Sequence, residues 1–164
     1  MNDHTHLFGG FAMMITDLSK RVIPFRKHDA KHVGDGCFYI DQIVWLNSST
    51  IEMGDEVKFN YGCWVNGFGG LTIGDGTIFG PRVMLHTANH ITDDLDHSMA
   101  DQGWKTQPVH IGKNCWFGMG VLILPGVTIG DGAIVGAGSV ITKGLEPMSV
   151  SVGNPAKTIK YRDR

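Results

Sequence analysis

At 164 residues, with a formal charge of -2 and 18% charged side chains, the chain has the length of one domain able to bury a core, and it lacks the basic footprint that nucleic-acid binding requires. Glycine is the outlier: 23 Gly against six Pro with no Gly-X-Y period excludes collagen, and 42% hydrophobic residues exclude a disordered chain. Three cysteines, Cys37, Cys63 and Cys115, form neither CxxC nor a Cys/His zinc spacing, which fits a reducing, cytoplasmic setting.

The opening MNDHTHLFGGFAMM places acid and His where a secretory leader needs basic residues before a longer apolar run. Nowhere does the chain approach the roughly 18 apolar residues of a membrane span. Residues 1–30 are expected to form a helical capping segment, because Phe11, Met14, Ile15, Leu18 and Val22 fall on one face of a helix over 11–22.

Residues 31–164 obey a different rule. Hexads read VGDGCF from Val33, MGDEVK from Met53, FNYGCW from Phe59, IGDGTI from Ile73 and FGPRVM from Phe79. From Ile111 they run unbroken: IGKNCW, FGMGVL, ILPGVT, IGDGAI, VGAGSV, ITKGLE. The first place is large and apolar, the second mostly Gly, the fifth small or medium. A period of six is neither 3.6 nor 2. It suits a short strand followed by a corner, with the first residue inward and Gly, Asn or Asp taking corner dihedrals. Three hexads make a triangular coil, and stacked coils bury one apolar column, so the pattern predicts an all-β solenoid of about five coils. All three cysteines stand at the fifth place and are read as small packing residues, not nucleophiles or ligands. Trp64 and Phe117 are read as aromatics on exposed faces.

The period fails at length once. After LHTANH comes ITDDLDHSMADQGWKTQ, residues 91–107, with four aspartates, His97 and Trp104, and His90 stands at its threshold. A structureless insertion of this size in a compact repeat points to function. The period ends for good at Pro155, in a basic tail over 152–164.

HTANH at 86–90, the loop, PVHIGKNCWFG at 108–118, ILPGVTIGDGAIVGAGSVITK at 123–143 and VGNPAKTIK at 152–160 together resemble the hexapeptide-repeat acyltransferases, in particular the maltose and galactoside O-acetyltransferase type. The resemblance covers roughly residues 50–160. It implies a left-handed parallel β-helix, acetyl-CoA as co-substrate with no metal, and a homotrimer whose sites form between subunits, since one copy leaves the histidine and the coenzyme groove on different faces.

Residue by residue, the resemblance makes His90, in its Thr-x-x-His setting, the general base on a sugar hydroxyl. The chemistry agrees: an alcohol is un-ionised at neutral pH, and an imidazole with a pKa near 6.5 is suited to take its proton as it attacks a thioester. Asn60 matches an acceptor-site asparagine, with a corner Asn in the left-handed region as the alternative reading. The family's sugar-binding carboxylate is missing; Phe68 stands in its place, with Asn66 the nearest polar side chain. Trp104 replaces a methionine and suits stacking on a sugar face or anchoring of the loop. Trp116, Gly118, Met119 and Ala137 match coil positions that line the coenzyme, with an oxyanion-binding backbone N–H near Met119. Thr142 and Lys143 match the pair near its adenine and phosphate, and Lys157 and Lys160 match basic positions that meet its phosphates.

The implied activity is acetyl-CoA-dependent O-acetylation of a saccharide hydroxyl. The short N-terminal segment resembles enzymes that act on lipopolysaccharide, capsule or exopolysaccharide components. Rival readings are an O-acetyltransferase of xenobiotic antibiotics, a γ-class carbonic anhydrase holding zinc through His86, His90 and His110, and a non-catalytic trimeric scaffold.

Overall fold

The computed structural model describes residues 22–163. The helix expected over 11–22 lies outside the described residues except for Val22, which opens a strand, Val22–Pro24.

Short strands follow one another around a triangle and stack in three parallel sheets. Sheet 1 contains His32–Val33, Ile51–Met53, Leu71–Ile73, Val109–Ile111 and Thr128–Ile129. Sheet 2 contains Phe38–Ile40, Lys58–Phe59, Ile78–Phe79, Trp116–Phe117, Ile134–Val135 and Ser149–Val152. Sheet 3 contains Val44–Leu46, Trp64–Asn66, Met84–His86, Leu122–Ile123 and Val140–Ile141. This makes five full coils and the start of a sixth, in which Leu145 bridges Ile129.

The hexad explains the core place by place. First-place Val33, Met53, Phe59, Ile73, Phe79, Ile111, Phe117, Ile123, Ile129, Val135 and Ile141 are all buried. Phe59, Phe79 and Phe117 stack coil upon coil, with ring centroids 4.2 and 5.0 Å apart and planes within 12°. Phe117 is therefore not on an exposed face, as its aromatic character had suggested; it opens the hexad FGMGVL, and the inward rule of that place decides its direction. Trp64 does lie on the outward face of sheet 3, half-buried.

The two glycines of a typical corner have different causes. At the fourth place the backbone turns left-handed, as at Gly76 with φ +68°, and Glu56, Arg82 and Asn114 do the same with side chains unbranched at Cβ. At the second place the constraint is stacking: a Cβ on Gly80 would lie 2.7 Å from the carbonyl oxygen of Phe117 on the next coil. Where sheet 1 turns into sheet 2, carboxylates tie the coils together. The N–H of Asp35 donates to Asp55 at 2.8 Å, that of Asp55 to Asp75 at 3.1 Å and that of Lys113 to Asp131 at 2.8 Å. The Lys113 ammonium sits 2.8 Å from Asp75 and holds that carboxyl below its ordinary pKa.

Both ends of the column are covered. Phe25 packs on Tyr39, Trp45 and Phe59 at centroid distances of 4.9, 5.2 and 6.0 Å. The basic tail forms a strand, Lys157–Tyr161, antiparallel to Ser149–Val152. The cysteines are free and buried, and burial pushes the Cys63 thiol up to about 11. Among the described residues no helix is long and apolar enough to cross a membrane.

Candidate active site

The loop leaves the solenoid where sheet 3 turns into sheet 1. Its root is held by Thr87, whose fully buried hydroxyl accepts the N–H of Gly69 at 2.7 Å and donates to the Asn66 carbonyl at 3.0 Å. The N–H of Gln107 closes the root on the Thr87 carbonyl at 2.9 Å. Between these points the segment is not structureless. Ala88–His90 pairs antiparallel with Trp104–Thr106, and the ladder continues from the N–H of Ile91 to the Gly103 carbonyl. The tip is closed by Gln102, which accepts from the Asp94 N–H at 3.0 Å and donates to the Asp94 carbonyl at 2.7 Å. Polarity without periodicity concealed this hairpin, because its strands are three residues long and carry no alternation to read.

His90 stands at the end of the hairpin, exposed, directly across from Trp104, with ring centroids 3.8 Å apart. A cleft of about 520 Å³ opens beside it, with Asn89, Asp93, Lys105 and Gln107 among its lining. Lys105 and Gln107 went unnoticed in the sequence; only the pairing of Lys105 with Asn89 places it at the cleft. His86, the last residue of its strand, lies against Trp64 and Trp104 at 5.5 and 6.3 Å. Burial, and secondarily the nearby His90, lowers its pKa, and its Nδ1 is buried with no hydrogen-bond partner among the described residues. The Asn66 side-chain oxygen is occupied within its own corner, accepting from Asn47 at 2.7 Å and from the Phe68 N–H at 3.1 Å. Thr142 and Lys143 occupy the same corner column two coils further on, both exposed.

Asn60, Gly118, Met119 and Ala137 share a different corner, where sheet 2 turns into sheet 3, and Trp116 flanks them on the outer face of sheet 2. The Asn60 backbone is not left-handed. Its Oδ1 accepts the Tyr61 N–H at 2.7 Å, leaving the amide nitrogen to donate outward. The neighbouring corner residue is Pro81, which has no N–H. Among the described residues the N–H groups of Met119 and Ala137 find no acceptor. Two free donors on adjacent coils, about 4.8 Å apart, suit carbonyl groups of an extended amide or thioester chain. Gly118 keeps this corner low, since a Cβ there would lie 2.6 Å from the Ala137 nitrogen. Lys157 and Lys160 lie exposed on the last strand, at the end of sheet 2.

A single chain thus gathers His90, Trp104, Thr142 and Lys143 at one corner and Asn60, Trp116, Gly118, Met119 and Ala137 at another, with sheet 3 between them. It does not gather the three histidines of the zinc reading. His110 belongs to sheet 1, where its Nδ1 meets the Thr72 hydroxyl at 2.8 Å, and no cluster of metal-binding side chains occurs among the described residues.

Residues 108–143 match the bacterial transferase hexapeptide family (six repeats). A protein of Schizosaccharomyces pombe named as an acetyltransferase is 41% identical over 111 residues, 67% of this chain and 52% of its own. The crystal structure of a maltose O-acetyltransferase from Clostridium difficile 630 superposes with a TM-score of 0.75 at 35% identity, covering 83% of this chain and 71% of that one. A galactoside acetyltransferase in complex with coenzyme A gives 0.64 at 32% identity, over 81% and 62%. The chain spans about half the length of the first curated relatives it matches. Its coils form the left-handed parallel β-helix of this group. The chain belongs to the hexapeptide-repeat acetyltransferase family.

Proposed function

We propose that the protein moves an acetyl group from acetyl-CoA to a hydroxyl of a saccharide, a component of lipopolysaccharide, capsule or exopolysaccharide, with His90 as general base. The carrying observation is the placement of His90 on a hairpin beside an open cleft, at the rim of a rigid column. Named relatives support the acyl donor and the acceptor class: one is a maltose O-acetyltransferase, and another is a galactoside acetyltransferase that holds coenzyme A.

Acetyl-CoA supplies an activated acyl group when bound. His90 takes the hydroxyl proton as the new C–O bond forms and returns it to the departing sulfur as the C–S bond breaks. The Asn60 amide nitrogen donates to the acceptor, and the free N–H groups at Met119 and Ala137 offer hydrogen bonds to the donor. Lys143, Lys157 and Lys160 attract its phosphates, with Thr142 beside them and Trp116 flanking the groove.

The site is completed in a homotrimer. The outward face of sheet 3 is largely apolar, with Val44, Leu46 and Met84 between 41% and 45% exposed beside Trp64, Asn66 and His86, whereas sheet 1 presents His32, Glu52, Thr72, His110 and Thr128. A closed ring of copies packed through sheet 3 brings the His90 corner of one against the Asn60 and Met119 corner of the next.

A thiol-release assay with acetyl-CoA across monosaccharides, nucleotide sugars and hydroxylated antibiotics tests the reading and separates sugar from xenobiotic acceptors. His90→Ala should lower kcat by about 10²–10⁴ and leave the Kd for acetyl-CoA within about twofold. Unchanged turnover would overturn the mechanism, and lack of saturable acetyl-CoA binding would favour the scaffold.

A further inference from the structure

We propose that Trp104 is a positioning residue for His90 rather than a stacking surface for the acceptor; the inference rests on His90 being the base. A general base must be oriented by a third group. Among the described residues no hydrogen bond reaches the His90 ring. What restrains it is the indole of Trp104, directly opposite in the hairpin, at 3.8 Å and 33° between planes. Residues opposed across an antiparallel pair put their side chains on the same face within contact distance, so the pairing itself dictates the encounter.

The indole is in turn supported from the solenoid. Phe68, at the corner beneath, meets it at 6.1 Å and 85°, and His86, at the end of a sheet 3 strand, meets it at 6.3 Å and 74°. His86 is backed by Trp64 at 5.5 Å. A relay of rings, Trp64, His86, Trp104 and His90, therefore runs from sheet 3 to the last residue pair of the two-stranded hairpin. One face of the indole is taken up by the imidazole, and Phe68 meets the indole in a T-shaped arrangement. Half-exposed on the hairpin, Trp104 can be replaced without touching the core.

Trp104→Leu should lower kcat about 10–100-fold, the cost expected of a base displaced by an ångström, with KM for the acceptor within about twofold. Trp104→Phe should recover most of the loss. An independent readout is the ring-current displacement of the His90 imidazole proton resonances, identified by their loss in His90→Gln. It should be present in the wild type, absent in Trp104→Leu and partly kept in Trp104→Phe. A raised acceptor KM with unchanged kcat in Trp104→Leu would overturn the proposal in favour of acceptor stacking, as would His90 resonances that ignore the substitution. Full activity in His90→Gln would instead sink the reading of His90 as base, whatever the resonances show.

Discussion

The hydroxyl of Thr87 accepts the backbone N–H of Gly69 at 2.7 Å, and this buried bond ties the departing loop to the coil beneath it. Thr87→Val keeps the shape but orphans that N–H and the Asn66 carbonyl, so urea unfolding should show a loss of about 1–3 kcal/mol, with Thr87→Ser losing less. Gly69→Ala should be worse, because the added Cβ would sit 2.3 Å from the Thr87 carbonyl oxygen and 2.9 Å from the Gln107 nitrogen, both backbone atoms that cannot swing aside. Identical midpoints for all of these variants would show that the root is held by something else.

The lysines should act on the coenzyme side alone. Lys143→Ala combined with Lys157→Ala is expected to raise KM for acetyl-CoA about 3–10-fold at low salt and by less at 0.5 M salt, since exposed charges are screened. An effect independent of ionic strength would argue against electrostatic capture. The acceptor KM should not move.

His86 should make the fold acid-sensitive. Its folded pKa is lowered by burial and secondarily by His90, so the unfolded chain takes up a proton at higher pH than the folded chain does. The stability contributed by neutral His86 is whole above about pH 6.5, the ordinary histidine value, and is lost as the pH falls below it toward the folded pKa. His86→Leu should therefore show a smaller drop in Tm between pH 7.5 and 5.5 than the wild type. Parallel drops would mean that the imidazole gains its proton without penalty.

The cysteines should be chemically silent in the native protein. Each thiol is buried and its pKa is raised by burial, that of Cys63 to about 11. Iodoacetamide followed by mass spectrometry should find Cys37, Cys63 and Cys115 unmodified until denaturant is added. Rapid alkylation of any of them with loss of turnover would point to a cysteine at the site of reaction.

Much of the column was legible because each place in the hexad carries one physical demand. Val33 through Ile141 point inward since an apolar residue every six positions has nowhere else to go. Cys115 fits at the fifth place because a small side chain is needed beside the next corner. Phe117 shows that position in the hexad, and not aromatic character, decides which way a side chain points. Asparagine is the residue type that suggests a left-handed corner, yet the backbone is left-handed at Glu56 and Arg82 and not at Asn60. The loop was legible as an interruption and opaque as a structure. The encounter of Trp104 with His90 depends on which residues face each other across three pairs, and nothing in a polar stretch of 17 residues declares that register. Lys105 and Gln107 were missed for the same reason.

Second-place glycines such as Gly80 and Gly118 press each coil onto the next with no slack. The column is consequently a ruler graduated in steps of about 4.8 Å. Moving the hairpin to the neighbouring coil would carry the His90 imidazole one whole graduation away from the corner it now faces, so this architecture can alter a corner by redecorating it far more readily than by sliding it along the axis.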